Sequence, residues 1–271
     1  MNSEILTSVE KRNEEYKDLK LDDIVDYEEY KLYSIVTSST QLEGSTLDEL
    51  DTAILLNDGL TAKGKPILHH KMVEDNFNAI SYAMKAADDK VLLSPEFIRK
   101  LNSLNMAQTG EIRYTMSGDV VDGTKGEFRK DSRFAQAIGT YPDFKKVPGM
   151  VDDFCEFFNR QLEDKRTSMQ YLITSFEAHV SLVLIHPFMD GNKRTSRLLM
   201  NFIQRRQELP LTKVHKEDSR EYIEALKKVK DTEDIKFFNH FMLKQHAKTL
   251  RNEIQQYQKS NKKSMKFLFS L

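Results

Sequence analysis

The 271 residues suffice for one large domain or two small ones, and 31% charged with 39% hydrophobic residues is an ordinary globular balance. Lys plus Arg total 41 against 42 Asp plus Glu, so no global field draws the chain to nucleic acid or an anionic membrane. The single cysteine, Cys155, excludes an internal disulfide framework and a cysteine-based zinc site.

Met1 to Thr7 has no basic stretch leading into an apolar one, and no apolar run approaches the ~20 residues that span a bilayer. A cytoplasmic protein without a membrane partner is expected. Apolar residues recur at three- and four-residue spacing over about 25–43, 46–56, 67–87, 94–107, 147–162, 168–186, 193–208, 217–229 and 233–257, which predicts helices there. The fold class is therefore mainly α, a single helical domain with an N-terminal helical extension. That extension offers a surface for a homodimer.

The first predicted helix closes on Ser39-Thr-Gln-Leu-Glu43-Gly44, with Gly44 as its stop. Thr46-x-x-Glu49 reads as the capping box of the next helix. Glu43 then lies in a last helical turn, where the dipole disfavours a negative charge by roughly 0.3–1 kcal/mol. Such a charge calls for a cationic partner. His69-His70 are adjacent and do not face one way, so they make a poor metal pair.

From Gly110 to Pro148 the helical rhythm stops and seven Gly or Pro residues punctuate the chain, which suggests short strands, above all across Phe128 to Ile138. Gly118 to Gly123 looks briefly like a phosphate loop, but its lysine is displaced by one place. Val151, Phe154, Cys155 and Phe158 share a helical face. Cys155 reads as a small buried hydrophobe, and Phe154, Phe157 and Phe158 read as core. The run Lys227 to Lys230 is expected on a solvated face, and the Lys/Gln-rich stretch Gln255 to Lys266 is expected to fray. No DNA-reading segment is evident after residue 210.

The segment His186-Pro-Phe-Met-Asp-Gly-Asn-Lys-Arg-Thr-Ser-Arg197 carries the chemistry. The apolar stripe Leu172, Ile173, Phe176, Val180 and Leu184 leads to His186, where Pro187 ends the helix. Phe188 is an apolar anchor, and Asp190-Gly-Asn192 a turn into a new helix whose Leu198, Leu199, Phe202 and Ile203 face the core. A helix start presents unpaired N–H groups, and Gly191 admits a ligand to the backbone. Arg194 and Arg197 oppose the helix dipole unless something anionic sits between them. A polyphosphate site follows, with Asp190 as a candidate Mg²⁺ ligand. The local chemistry alone leaves a plain helix-start turn with solvated arginines as the other reading.

The same segment resembles the Fic family signature, His-Pro-Phe-x-(Asp/Glu)-Gly-Asn-Gly-Arg-x-x-Arg, in eleven of twelve places. Gly126-Glu-Phe-Arg129, Arg133 to Gly139, Glu177-Ala-His179 and Arg220 to Ala225 extend the resemblance over roughly residues 110–245. It implies a Fic-like helical bundle with a short β-hairpin flap. Residues 1–90 would be an N-terminal helical region, 91–245 the Fic core and 246–271 a C-terminal helix and tail.

The implied activity is adenylyl transfer from ATP to a Ser, Thr or Tyr hydroxyl of a target protein. His186 would be the general base, Asp190 the Mg²⁺ ligand, Gly191 and Asn192 the α-phosphate support, Arg194 the balance to the leaving phosphates and Arg197 the γ-phosphate ligand. The flap near 128–138 would align the target by strand addition, and His179 would be structural. Ser/Thr-x-x-x-Glu-Gly/Asn is the family's inhibitory helix motif, so Ser39 and Glu43 would block the γ-phosphate place by pairing with Arg197. Lys193 departs from the pattern, standing where the adenylylating signature has glycine. Doc relatives carry Asn-Lys-Arg there and transfer phosphate, but they lack the second arginine. Phosphate transfer and a decayed nucleotide-binding regulator are the alternatives.

Overall fold

Helical periodicity is realised as ten α-helices among the residues described by the computed structural model, 3–19, 27–115, 118–132, 134–135 and 138–268. They are α1 (Ser3–Asp18), α2 (Tyr27–Gln41), α3 (Glu49–Asp58), α4 (Ile67–Asp88), α5 (Pro95–Asn105), α6 (Val147–Glu163), α7 (Ser168–Ile185), α8 (Asn192–Arg206), α9 (Ser219–Thr232) and α10 (Lys236–Leu268). No helix among them is long and apolar enough to cross a membrane.

The antiparallel pair α7 and α8 forms the centre, because both helices feed two apolar clusters. Ala178, Leu182, Leu198, Leu199, Phe202 and Ile203 join side chains of α4, α5 and α6 in one cluster. Leu172, Phe176, Val180 and Met200 join α9 and α10 in the other. Each fully buried aliphatic or aromatic side chain contributes about 1.5–3 kcal/mol, so the hairpin that carries the motif is firmly held from both sides. Cys155 is buried, and burial pushes its thiol up to about 12, the inert hydrophobe expected.

The glycine-rich stretch forms two small hairpins. Strand β1 (Ile112–Tyr114) pairs antiparallel with β2 (Val120–Asp122), Ile112 opposite Asp122. Strand β3 (Phe134–Ala135) pairs antiparallel with β4 (Gly139–Thr140), Phe134 opposite Thr140. The flap hairpin is thus centred later than the 128–138 expectation. Phe128 instead forms a bridge with Phe188, which ties the foot of the flap to the motif loop. Arg133, Gln136 and Ala137 lie outside the described residues.

Three local expectations are corrected, and one helix is new. The capping box before α3 is made by Asp48 and Asp51, not Thr46 and Glu49. Glu49 is the first residue of the helix, two places before the box position, and instead accepts from Ser34 Oγ at 2.5 Å, with Lys213 Nζ at 3.2 Å. Phe157 is 47% exposed, because it lies off the stripe formed by Phe154 and Phe158. Helix α10 continues to Leu268 rather than fraying at Gln255. Its buried Leu250 and Ile254 pack on Tyr16, and Lys and Gln are good helix formers. Finally, α1 was not read from the sequence. Only Val9 and Tyr16 of this polar helix are fully buried, too few to show a period.

Candidate active site

Helix α7 starts at a Thr167–Gln170 capping box and stops at His186, whose φ of 52° is left-handed. The His186 N–H still donates to the Leu182 carbonyl at 3.0 Å, closing the helix before Pro187 turns the chain away. Phe188 is 1% exposed and packs on Phe128 with ring centroids 5.6 Å apart. Asn192 braces the loop from within. Its Oδ1 accepts from the Phe188 N–H at 2.9 Å, and its Nδ2 donates to the Phe188 carbonyl at 2.8 Å.

Gly191, at φ 78°, has no room for a side chain. An added Cβ would lie 2.8 Å from both Asn102 Nδ2 and Met106 Sδ. Asn102 donates to the Asp190 carbonyl and to Thr195 Oγ1, each at 3.1 Å, so α5 fixes the start of α8 from below.

Three cations crowd that helix start. Arg194 is 4% exposed and lacks a carboxylate within ion-pair distance among the described residues. It reaches only the Asn105 carbonyl at 3.5 Å and Met106 Sδ at 3.1 Å, and its Nε makes no hydrogen bond. Arg197, 3% exposed, donates from Nε to Ser39 Oγ at 3.0 Å and from Nη2 to the Ser39 carbonyl at 2.9 Å.

Glu43 completes the set from the turn after α2, which Gly44 closes at φ 98°. Its Oε1 lies 3.0 Å from Arg197 Nη2 and its Oε2 lies 3.1 Å from Lys193 Nζ. The anion expected between Arg194 and Arg197 therefore spans Lys193 and Arg197 instead, while Arg194 turns beneath the loop. Burial alone would raise the Glu43 carboxyl, but Arg197, Lys193 and Arg194 together pull it down from 4.5 to about 2.

The sequence and the fold also match known proteins. Residues 92–204 match the Fic/DOC family. The chain carries a Fic/DOC-family domain. The protein adenylyltransferase Fic of Drosophila melanogaster is 29% identical over 213 residues, 78% of this chain and 40% of that protein. The chain thus spans about 40% of the length of the curated relatives it matches. A Fic-domain-containing signalling protein from Bacteroides thetaiotaomicron superposes with a TM-score of 0.74 at 21% identity, covering 92% of this chain and 96% of that one. Fic-1 (aa134–508) from C. elegans gives 0.74 at 23%, covering 94% and 72%. These likenesses establish the mainly helical Fic fold with its short hairpin.

The structure brings residues of the matched segment together with two from the end of α2 and the turn after it. Ser39, Glu43, Lys193 and Arg197 form one ion-paired group, and His186, Asp190, Gly191 and Asn192 line the adjoining loop. His179 is fully buried, with Nε2 2.8 Å from the Tyr222 hydroxyl, and burial followed by Arg197 drives its imidazole well below its usual range. It is a neutral packing residue.

His69 and His70 separate as expected. His69 Nδ1 accepts from the Thr46 N–H at 3.2 Å, and His70 Nε2 from the Ala62 N–H at 2.8 Å.

Sequence reasoning missed Asn102, Met106, Arg129 and Tyr141. Arg129 is 2% exposed and donates from Nε to the His186 carbonyl at 2.7 Å, from Nη1 to the Asp131 carbonyl at 2.8 Å and from Nη2 to the Pro142 carbonyl at 2.6 Å. The Gly126-Glu-Phe-Arg129 stretch was its only signal.

Proposed function

We propose that this chain is a self-inhibited protein adenylyltransferase, moving AMP from ATP onto a Ser, Thr or Tyr hydroxyl of a target protein. The observation that carries the reading is Glu43, a carboxylate lodged between Lys193 and Arg197 at a helix start shaped for anions and next to His186.

His186 accepts the target hydroxyl proton, and that oxygen forms the new bond to the α-phosphorus of ATP. The bond from the α-phosphorus to the bridging oxygen breaks, and pyrophosphate leaves with its electron pair. Gly191 and the Asn192 region steady the α-phosphate, Arg194 offsets charge on the leaving phosphates, and Arg197 holds the γ-phosphate. Asp190 suits the Mg²⁺ that accompanies ATP. One carboxylate oxygen accepts the Gly191 N–H at 2.6 Å, and the exposed residue keeps its other oxygen without a hydrogen bond among the described residues. When bound, the ion would neutralise phosphate charge there. Residues 128–138 and the β3–β4 hairpin align the target by strand addition. In this reading residues 1–90 are the regulatory region, 91–245 the catalytic core and 246–271 the C-terminal segment. The chain works in the cytoplasm, with its N-terminal helices as a homodimer surface.

Glu43 is the inhibitor, filling the place of the γ-phosphate. Mild acid should not release it. With its carboxyl lowered from 4.5 to about 2, its contribution is complete above the ordinary value and lost only as pH falls through the lowered one. Nucleotide binding by the wild-type chain should stay flat between about pH 5 and pH 8. Tighter binding at the acid end, absent from Glu43→Gln, would mean that the carboxyl is protonated in mild acid and that the two cations do not hold it ionised.

Lys193 favours one other reading, phosphate transfer, because it places a charge where the adenylylating signature has glycine. Glu43→Gly incubated with cell extract and ATP labelled at the α or γ phosphate separates the two. Label from the α position alone is expected. Label from γ alone means kinase action, and none from either means a nucleotide-binding regulator.

A further inference from the structure

We infer that Tyr141 is the positioning residue for His186, holding the imidazole from the end of the flap. The inference rests on the reading of His186 as the base. Backbone and rotamer preference alone do not fix the plane of the His186 ring. It sits on left-handed backbone, and the rotation of an imidazole about its last side-chain bond is broad. Asn192 Nδ2 lies 3.2 Å from His186 Nδ1 and 3.3 Å from Nε2, so one donor is shared between both nitrogens and selects neither.

Tyr141 supplies a restraint by stacking. The two rings stack with centroids 3.8 Å apart and planes inclined by 22°. Tyr141 is itself only 9% exposed and belongs to the apolar cluster with Ile138, Leu226 and Val229. Lys230 Nζ lies 4.9 Å from its ring centroid. A ring fixed on α9 can therefore fix another.

The backbones are held in the same register. Arg129 donates to the carbonyl of His186 and to that of Pro142, the residue after Tyr141. Tyr141 directly follows β4, the strand of the flap. The segment proposed to align the target hydroxyl thus ends in the ring that aims its proton acceptor. Coupling these two placements matters because reacting atoms must meet within a fraction of an ångström, and a 1 Å error costs on the order of 10²-fold in rate.

The Tyr141 hydroxyl makes no hydrogen bond among the described residues, so the ring alone is at work. In a Glu43→Gly background, with α-labelled ATP and cell-extract acceptors, Tyr141→Leu should lower the rate at saturating ATP by roughly 30–100-fold. ATP affinity should remain within about twofold, since the phosphate cradle lies on α8. Tyr141→Phe should restore the rate to within about threefold. If leucine prevents folding, Tyr141→Met is judged by the same two measurements.

An unchanged rate with leucine, an equal loss with phenylalanine, or a parallel loss of ATP affinity would overturn the inference. His186→Ala in the same background separates the two levels. If it labels normally, the base assignment fails and this inference with it. If it is silent while Tyr141→Leu is active, only the role of Tyr141 fails.

Discussion

Glu43→Gly should raise label transfer at sub-saturating ATP by about 10²-fold. The estimate follows from what a polyphosphate must displace. Glu43 uses both carboxylate oxygens, one on Arg197 at 3.0 Å and one on Lys193 at 3.1 Å, and its side chain is only 18% exposed. Truncating one partner of a desolvated charge pair of this kind costs about 2–5 kcal/mol. At about 1.4 kcal/mol per factor of ten, that range brackets 10²-fold.

The same change should lower thermal stability, because Lys193 and Arg197 then face the positive end of the α8 dipole with no anion between them. ATP should restore the melting temperature of the variant and move that of the wild type little, since a ligand stabilises only the state it can occupy. Calorimetry with and without ATP reads both effects. A variant that melts lower but gains neither ATP affinity nor rate would reduce Glu43 to a structural ion pair.

The central hairpin was legible because its period is strong and its ends are punctuated. Pro187 stops α7 and Gly191 starts α8, and both features are visible one residue at a time. The meeting of Glu43 with Arg197 was implied by the family resemblance, and the helix dipoles showed only that each group needed a partner. A carboxylate at the end of α2 and two arginines at the start of α8 each oppose a helix dipole, and each therefore lacked a partner. What the residues alone could not supply was Lys193 as a second arm, since a lysine at a helix start is unremarkable until its neighbour is placed.

The flap was less legible. Strands of two and three residues carry no period, and Phe128, read as flap, instead pairs with Phe188 beneath it. Tyr141 and Asn102 gave no signal at all. Their importance comes from lying against His186 and Asp190, contacts that span 45 and 88 residues of chain. Even the cap of α3 was misplaced by two residues, because Thr46-x-x-Glu49 and Asp48-x-x-Asp51 both satisfy the pattern and only packing of Glu49 against Ser34 decides between them.

His186→Ala, made in the Glu43→Gly background, should cut the rate at saturating ATP by about 10²–10⁴-fold, the span for loss of a general base. ATP affinity should hardly change. The groups proposed to hold phosphate, Gly191, Asn192, Arg194 and Arg197, lie on α8 or its cap, and the main-chain bonds of residue 186 to Leu182 and Arg129 do not involve the imidazole. Alanine in a left-handed position costs roughly 1–2 kcal/mol, but histidine already carries a Cβ there, so the added strain is small.

Binding of ATP and the rate at saturation are therefore expected to separate. A loss below about tenfold would send the hydroxyl proton to another acceptor. A loss of affinity together with rate would instead make the imidazole part of the scaffold that Tyr141 and Asn192 close around, and its removal a collapse of the loop rather than the loss of a base.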